Sequence, residues 1–264
     1  MKLKNFIFNN IKKDLIIAFS YKGQFIGSYL AIFFNMIIFF YFIKFAGSDS
    51  FNSLFSFIFI GIVMSDCLLI ISRSCATQIT TYKSQGIFEE LMTCPVRNIF
   101  IVLSSIPYSI FSSLTRLICY IFFFLFFADY NFETVNILVI ISAFSLAVMS
   151  FIGISLIAAA FSIIFFRGGA VILLFSGAST IFGGVFYPTS TFNFNIDFIS
   201  IFLSIKPTLD LIRSSIGVIE LDKIEIFYSF LNLTILSVFY ILMGYFLTKY
   251  AIKHAKEKGT FSHF

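Results

Sequence analysis

Apolar positions in this chain come in long blocks, broken by short polar stretches. A helix needs about 20 apolar residues to cross a hydrocarbon core of about 30 Å. Six blocks meet or approach that length, at roughly 25–45, 54–71, 99–127, 136–166, 168–187 and 224–247. The third and fourth exceed it, so they tilt or extend past the membrane. The pattern predicts an all-α integral membrane protein with six transmembrane helices in a single domain spanning 1–264: spans one to five lie in 25–187 and span six in 224–250.

Three stretches between and beside the blocks read differently. In residues 1–24, Leu3, Ile7, Ile11 and Leu15 recur every four positions, with Lys12 and Lys13 off that stripe. Such a helix suits the inner headgroup layer, with both lysines facing anionic lipid. Residues 188–223 hold two apolar pieces, about 196–205 and 208–219, divided by Lys206 and Pro207. Each piece is too short to span, and Pro207 fits the first turn of the second. A pair of outer re-entrant helices fits these lengths, and so does a partly apolar surface loop. The third stretch is "GIFEELMTCPVRN", residues 86–98. From Gln85 to Met92 it places Ile87, Phe88, Leu91 and Met92 on one helical face and Glu89 and Glu90 elsewhere, and Pro95 discourages helix at Cys94. A short amphipathic helix presenting two carboxylates outward is expected there.

Composition agrees with lipid as the main solvent. The chain is 59% hydrophobic and 12% charged with mean hydropathy +0.99, against about 25% charged in ordinary soluble domains. The 41 Phe residues have an unspecific source in A/T-rich codons, and the absence of Trp leaves Tyr and Phe to form the interfacial belt. The first 24 residues lack the apolar core and small-residue site of a secretory signal. Residues 251–264 form a tail after the last span.

Charge changes the picture by fixing orientation. With both ends in the cytoplasm, the inner side holds 13 Lys and Arg and the outer side four, namely Lys44, Lys206, Arg213 and Lys223, while eight acidic residues lie outside. The positive-inside rule then places both termini in the cytoplasm. The net charge of +5 is thus a matter of topology, and no nucleic-acid partner is expected.

Candidate chemistry is sparse. There is no G-x-x-x-x-G-K-[ST] phosphate loop, and the two histidines, His254 and His263, lie in the C-terminal region. Cys67, Cys75, Cys94 and Cys119 have neither the spacing of a metal site nor an extracellular framework to bridge. No catalytic residue, metal or cofactor bound by this chain is expected. Asp66 and Arg116 are the exceptions inside the spans. Counted from the outer ends, both lie roughly 16–18 Å deep at 1.5 Å per residue. A buried ion pair fixing helix packing and a place on a translocation path both fit that position.

The order of these features resembles the permease subunits of the type-2 exporter family of ABC transporters. There a segment like Gly-Thr-Leu-Glu-Gln-Leu-Leu-x-x-Pro joins the second and third spans. Here it stands as Gly86-Ile87-Phe88-Glu89-Glu90-Leu91-Met92-Thr93-Cys94-Pro95, with Ile87 in place of the family's Thr. A second family feature, Gly-x-x-Phe/Tyr-Pro followed by Pro-Leu-Thr and an Arg, is similar to Gly184-Val185-Phe186-Tyr187-Pro188 and Pro207-Thr208-Leu209 through Asp210 to Arg213. The proline many members carry between these two features is missing. The resemblance implies a prokaryotic inner-membrane subunit that pairs with a second permease copy and with two copies of a nucleotide-binding ATPase. ATP and Mg would sit on that partner. It implies that Gly86, Phe88, Glu89, Glu90, Leu91 and Pro95 couple to the ATPase, and that Gly184, Tyr187, Pro188, Pro207, Asp210 and Arg213 form the outer gate. The cargo expected is amphipathic: a lipid, a lipid-linked glycan or a hydrophobic drug. An ion-coupled secondary transporter and a membrane scaffold are the alternatives.

Overall fold

The computed structural model describes residues 3–45, 51–95, 97–127, 135–165, 168–189 and 200–258. They form α1 (Leu3–Ser20), α2 (Lys22–Phe45), α3 (Phe51–Ser84), α4 (Phe88–Thr93), α5 (Asn98–Leu103), α6 (Ile106–Phe127), α7 (Ile137–Phe165), α8 (Gly168–Phe182), α9 (Ile205–Ser215) and α10 (Lys223–Lys258). No strand occurs among the described residues. The protein is an all-helical integral membrane protein. Five helical stretches are long and apolar enough to cross a bilayer: Ile26–Phe45, Ser53–Ser84, Asn98–Phe127, Ile137–Phe165 and Lys223–Glu257.

Several boundaries differ from the sequence pattern for local reasons. The second span does not stop at residue 71. It continues as helix to Ser84, giving α3 34 residues and a length of about 50 Å. The third block is broken at Ser104 and Ser105, because Pro107 in the first turn of α6 has no N–H to give and crowds the carbonyl four residues back. The fifth block ends as helix at Phe182, so α8 has 15 residues rather than the expected twenty. Gly183 and Gly184 follow, and Gly184 takes φ +73°, which stops the helix. Of the expected re-entrant pair, 196–199 of the first piece lie outside the described residues and its remainder, 200–205, leads through a turn into α9; the second is α9, with Pro207 in its first turn. Residues 259–264 of the expected tail 251–264, and Lys2 and Arg167 of the inner-side basic residues, also lie outside them.

The helices pack around α3, the most buried span, and α7. In the middle, Met64, Leu68 and Ile71 of α3 meet Ala147, Phe151 and Ile154 of α7, with Leu209 of α9 and Leu233 of α10. A second cluster joins Ile79, Phe88, Met92, Ile101, Ala159 and Ala255 around α4. A third is largely aromatic, with Phe55, Phe59, Tyr120, Phe123 and Phe124 between α2, α3 and α6. Lipid is as apolar as leucine, so close van der Waals packing and hydrogen bonds between helices must hold them together. Small residues supply the closeness. A methyl group on Gly153 would overlap the backbone of Tyr240 and Ile241, and one on Gly244 would overlap the carbonyl of Gly153. Thr248 Oγ1 adds a bond to the Leu156 carbonyl at 3.0 Å.

Gly153→Ala should therefore destabilise the fold by about 1–3 kcal/mol through overpacking. Gly27→Ala, where an added methyl meets nothing within 4 Å, should be neutral or stabilising by about 1 kcal/mol through helix propensity. Thermal unfolding of the two variants in mild detergent checks the contrast.

Candidate functional site

The end of the bundle that carries α4 is built on a helix stop. Gly86 takes φ +73°, its N–H bonds the Lys83 carbonyl at 3.1 Å, and the Ile87 N–H bonds the Tyr82 carbonyl at 3.1 Å. This paired closure of the last carbonyls is the Schellman arrangement, and it needs a residue tolerant of positive φ. The chain then re-enters helix at Phe88 rather than at Gln85. Phe88 and Met92 are buried, Leu91 and Ile87 half-buried, and Glu89, Glu90 and Pro95 exposed. Cys94 is extended ahead of Pro95, as a residue before proline prefers.

Lys83, one of the inner-side charges by its position, does more than set orientation. It is 4% exposed, and its Nζ donates to the carbonyls of Ser162 at 3.1 Å and Ile163 at 2.5 Å. Those carbonyls belong to the last turn of α7, where helix geometry leaves acceptors unsatisfied and favours a cation. The same ammonium lies 5.7 Å from the ring centroid of Phe88. Phe88 on α4, Lys83 on α3 and the C-terminus of α7 thus form one joint.

A second chain of polar contacts ties α1 to this end. Lys13 Nζ donates to Tyr82 Oη at 3.0 Å, Gln78 Nε2 to the same oxygen at 2.9 Å, and Gln78 Nε2 also to Ser104 Oγ at 3.1 Å. Lys13 also pairs with Asp14 at 3.3 Å. Of the two lysines expected to face lipid, Lys12 is exposed, whereas Lys13 turns toward protein. Burial works against the Lys13 charge, yet Tyr82 and Asp14 together raise its pKa above the usual lysine value. Burial pushes the Asp14 carboxyl up, with Lys13 pulling against it.

In the middle of the bundle Arg116 Nη1 stands 3.1 Å from Asp66 Oδ2 and 3.4 Å from Oδ1, and Tyr120 Oη donates to Oδ2 at 3.0 Å. Both charged side chains keep about a quarter of their surface open, 22% for Arg116 and 26% for Asp66. That surface faces two different cavities. A cavity of about 610 Å³ has Arg116 in its wall, and another of about 510 Å³ has Asp66 and Tyr120 in its wall. The pair is part of the partition between them.

The opposite end is organised by Arg213. It is 2% exposed. Nη1 donates to the Gly184 carbonyl at 2.9 Å, and Nη2 donates to the carbonyls of Phe57 at 2.9 Å and Val185 at 3.1 Å. The guanidinium lies 3.5 Å from the Phe57 ring centroid, a cation–π contact. Its Nε has no hydrogen-bond partner. Burial lowers the Arg213 pKa to about 10, with Asp210 opposing the shift, so it stays charged at neutral pH. Gly61 lets the turn approach: a methyl there would overlap the Val185 carbonyl. Gly184 and Arg213 are therefore brought together, Pro207 is buried in the first turn of α9, Tyr187 is half-buried and Pro188 exposed. Asp210 is half-buried, and burial raises its pKa against the pull of Lys206 and Arg213.

Among the described residues no group of three or more His, Cys, Asp or Glu could hold a metal ion. His254 stacks on Tyr250 at 5.9 Å. The site's chemistry is that of charge presentation and polar lining. Compared with models of known protein families the chain matches none, and no curated protein matches it in sequence.

Asp66→Asn weakens the acceptor for Arg116 and Tyr120 and should cost about 1–3 kcal/mol. Asp66→Leu combined with Arg116→Leu should recover part of that loss, since removing both partners leaves no unpaired charge. Thermal unfolding of the single and double variants in mild detergent measures the difference.

Proposed function

We propose that this chain is the membrane-spanning permease subunit of an ATP-driven exporter of the type-2 ABC class. The observation that supports the reading best is α4: its outer face offers Glu89 and Glu90 to a partner, and its inner face engages the Phe88–Lys83–α7 joint. A partner surface bearing Arg or Lys complements those carboxylates. Closing of the partner on ATP would push α4, and the joint would pass the push to α3 and α7, shifting the balance of inward- and outward-facing states.

In this reading α8, continued by 183–189, is a sixth span. Both termini face the cytoplasm of a prokaryote, and α1 lies along the inner headgroup layer. The region 188–223, with α9 and the Arg213 clamp, closes the outer end of a path between two permease copies, the second taken as identical. Two copies of a nucleotide-binding ATPase bind beneath, holding ATP and Mg. The cargo is amphipathic.

The test is capture of the tagged chain from its own cells in mild detergent, with mass spectrometry of what stays bound. A stoichiometric P-loop ATPase is expected. It should be lost in the Glu89→Lys/Glu90→Lys double variant, which still inserts and elutes as a single species. Capture unchanged by the double reversal would remove the coupling role.

A further inference from the structure

Two polar stripes face one another at the α4 end of the bundle. On α3, Arg73, Thr77 and Thr81 recur one turn apart; on α6, Ser109, Ser112 and Arg116 do the same. Helical spacing of three and four residues puts each set on one face. Between them, with α1 and the start of α2 completing the walls, lies the cavity of about 610 Å³. Its charged lining is Lys13, Arg73, Arg116 and Asp14. Asp14 answers Lys13 and Asp66 answers Arg116. Arg73 is exposed and has no acidic partner among the described residues.

Arg73 sits 11 residues before the end of α3 at Ser84, about 16 Å along the axis, just past the apolar block 54–71 and at the start of the polar run that ends the helix. A cation at that level is placed to meet anionic lipid headgroups. A planar guanidinium is best satisfied by a phosphate or carboxylate accepting two bonds.

The shape beside the cavity selects the ligand further. A groove of about 340 Å³ adjoins it and shares Ala18, Tyr29, Tyr108 and Ser112 with it. Beyond those shared residues the groove is lined mainly by apolar side chains, including Leu15 and Phe111. A polar, cationic chamber opening into an apolar groove matches an anionic headgroup joined to a hydrocarbon chain. A bare anion would leave the groove unused, and a zwitterionic lipid would give Arg73 a weaker partner.

We propose that the cleft between α1, α2, α3 and α6 binds an anionic phospholipid, its phosphate against Arg73 and an acyl chain along the groove past Ala18. The site lies within one copy of the chain and needs no ATPase, so it goes beyond the permease reading.

The test uses the full chain in nanodiscs of phosphatidylcholine containing a minor share of phosphatidylglycerol with the same acyl chains. Lipids retained on the released protein are counted by native mass spectrometry. Phosphatidylglycerol should be retained about tenfold over its share of the disc, corresponding to about 1.4 kcal/mol. Arg73→Gln should bring that preference to parity. Ala18→Phe fills the junction of chamber and groove and should lower retention of both lipids, and Cys119→Phe, which obstructs the groove from α6, provides a second variant should the first not fold. Millimolar inorganic phosphate should not displace the lipid. Equal retention of the two lipids in the wild type, a preference unmoved by Arg73→Gln, or displacement by inorganic phosphate would each overturn the proposal. Lipid preference kept without ATPase capture would sink the permease reading alone, and the reverse result would sink the lipid site alone.

Discussion

The bonds from the Lys83 ammonium to the last carbonyls of α7 are the constraint on which the α4 end depends. A buried cation must find acceptors or lose its charge, and helix termini supply acceptors that would otherwise lack partners. Arg213 solves the same problem at the opposite end, with the carbonyls of Phe57, Gly184 and Val185. Both anchors involve α3, one near its start through Phe57 and one near its end through Lys83. A helix of about 50 Å is thereby held at both ends by charge-assisted bonds, each worth roughly twice a neutral one. α4 is joined to that rod through Phe88 and cannot move far without carrying α3 or breaking the joint.

Between the anchors, α3 packs closely on α7, and on α6 it packs closely through the aromatic cluster around Phe59 and Phe124 but opens toward the α4 end. Ser155 accepts from the Cys75 N–H at 3.1 Å, and Ser162 Oγ reaches the Ala76 carbonyl at 3.5 Å, so the α3–α7 seam is made of small and hydroxyl side chains. The larger cavity intervenes between α3 and α6 at that end, and Asp66, Arg116 and Tyr120 form the partition between it and the cavity bounded by α2, α3, α7 and α8. The Asp66 carboxylate accepts from two donors on α6, Arg116 and Tyr120, and so ties α3 to α6 at mid-depth. A shift of α3 against α6 would have to open this pair, which links the wall between the cavities to the motion α4 would transmit.

Much of the helical plan was legible because lipid demands long, nearly uninterrupted apolar runs. The five long spans follow from that demand alone. The polar run from Arg73 to Ser84 obscured the true length of α3. Its residues face a polar cavity at helical spacing, and the signal was the recurrence of Arg73, Thr77 and Thr81 every four positions. Lys83 could not be assigned its place, since nothing local distinguishes a lysine at the membrane edge from one that caps a neighbouring helix. The close approaches at Gly61, Gly153 and Gly244 depend on which helices meet, and a single sequence does not state that. The carboxylates on α4 were legible because a proline, a glycine and two buried positions bracket them.

Cys94 provides the most direct measurement of the central claim, that the α4 face meets a cytoplasmic ATP-driven partner. It is exposed beside Pro95, while Cys67 and Cys75 are buried and Cys119 is half-buried. Labelling by a membrane-impermeant maleimide would be timed in inside-out and right-side-out vesicles, with and without Mg-ATP, using Cys94→Ser to identify the signal. The account predicts rapid labelling in inside-out vesicles alone, at a rate that changes when Mg-ATP is added. Labelling from the outer side, or an inner-side rate indifferent to Mg-ATP, would contradict it.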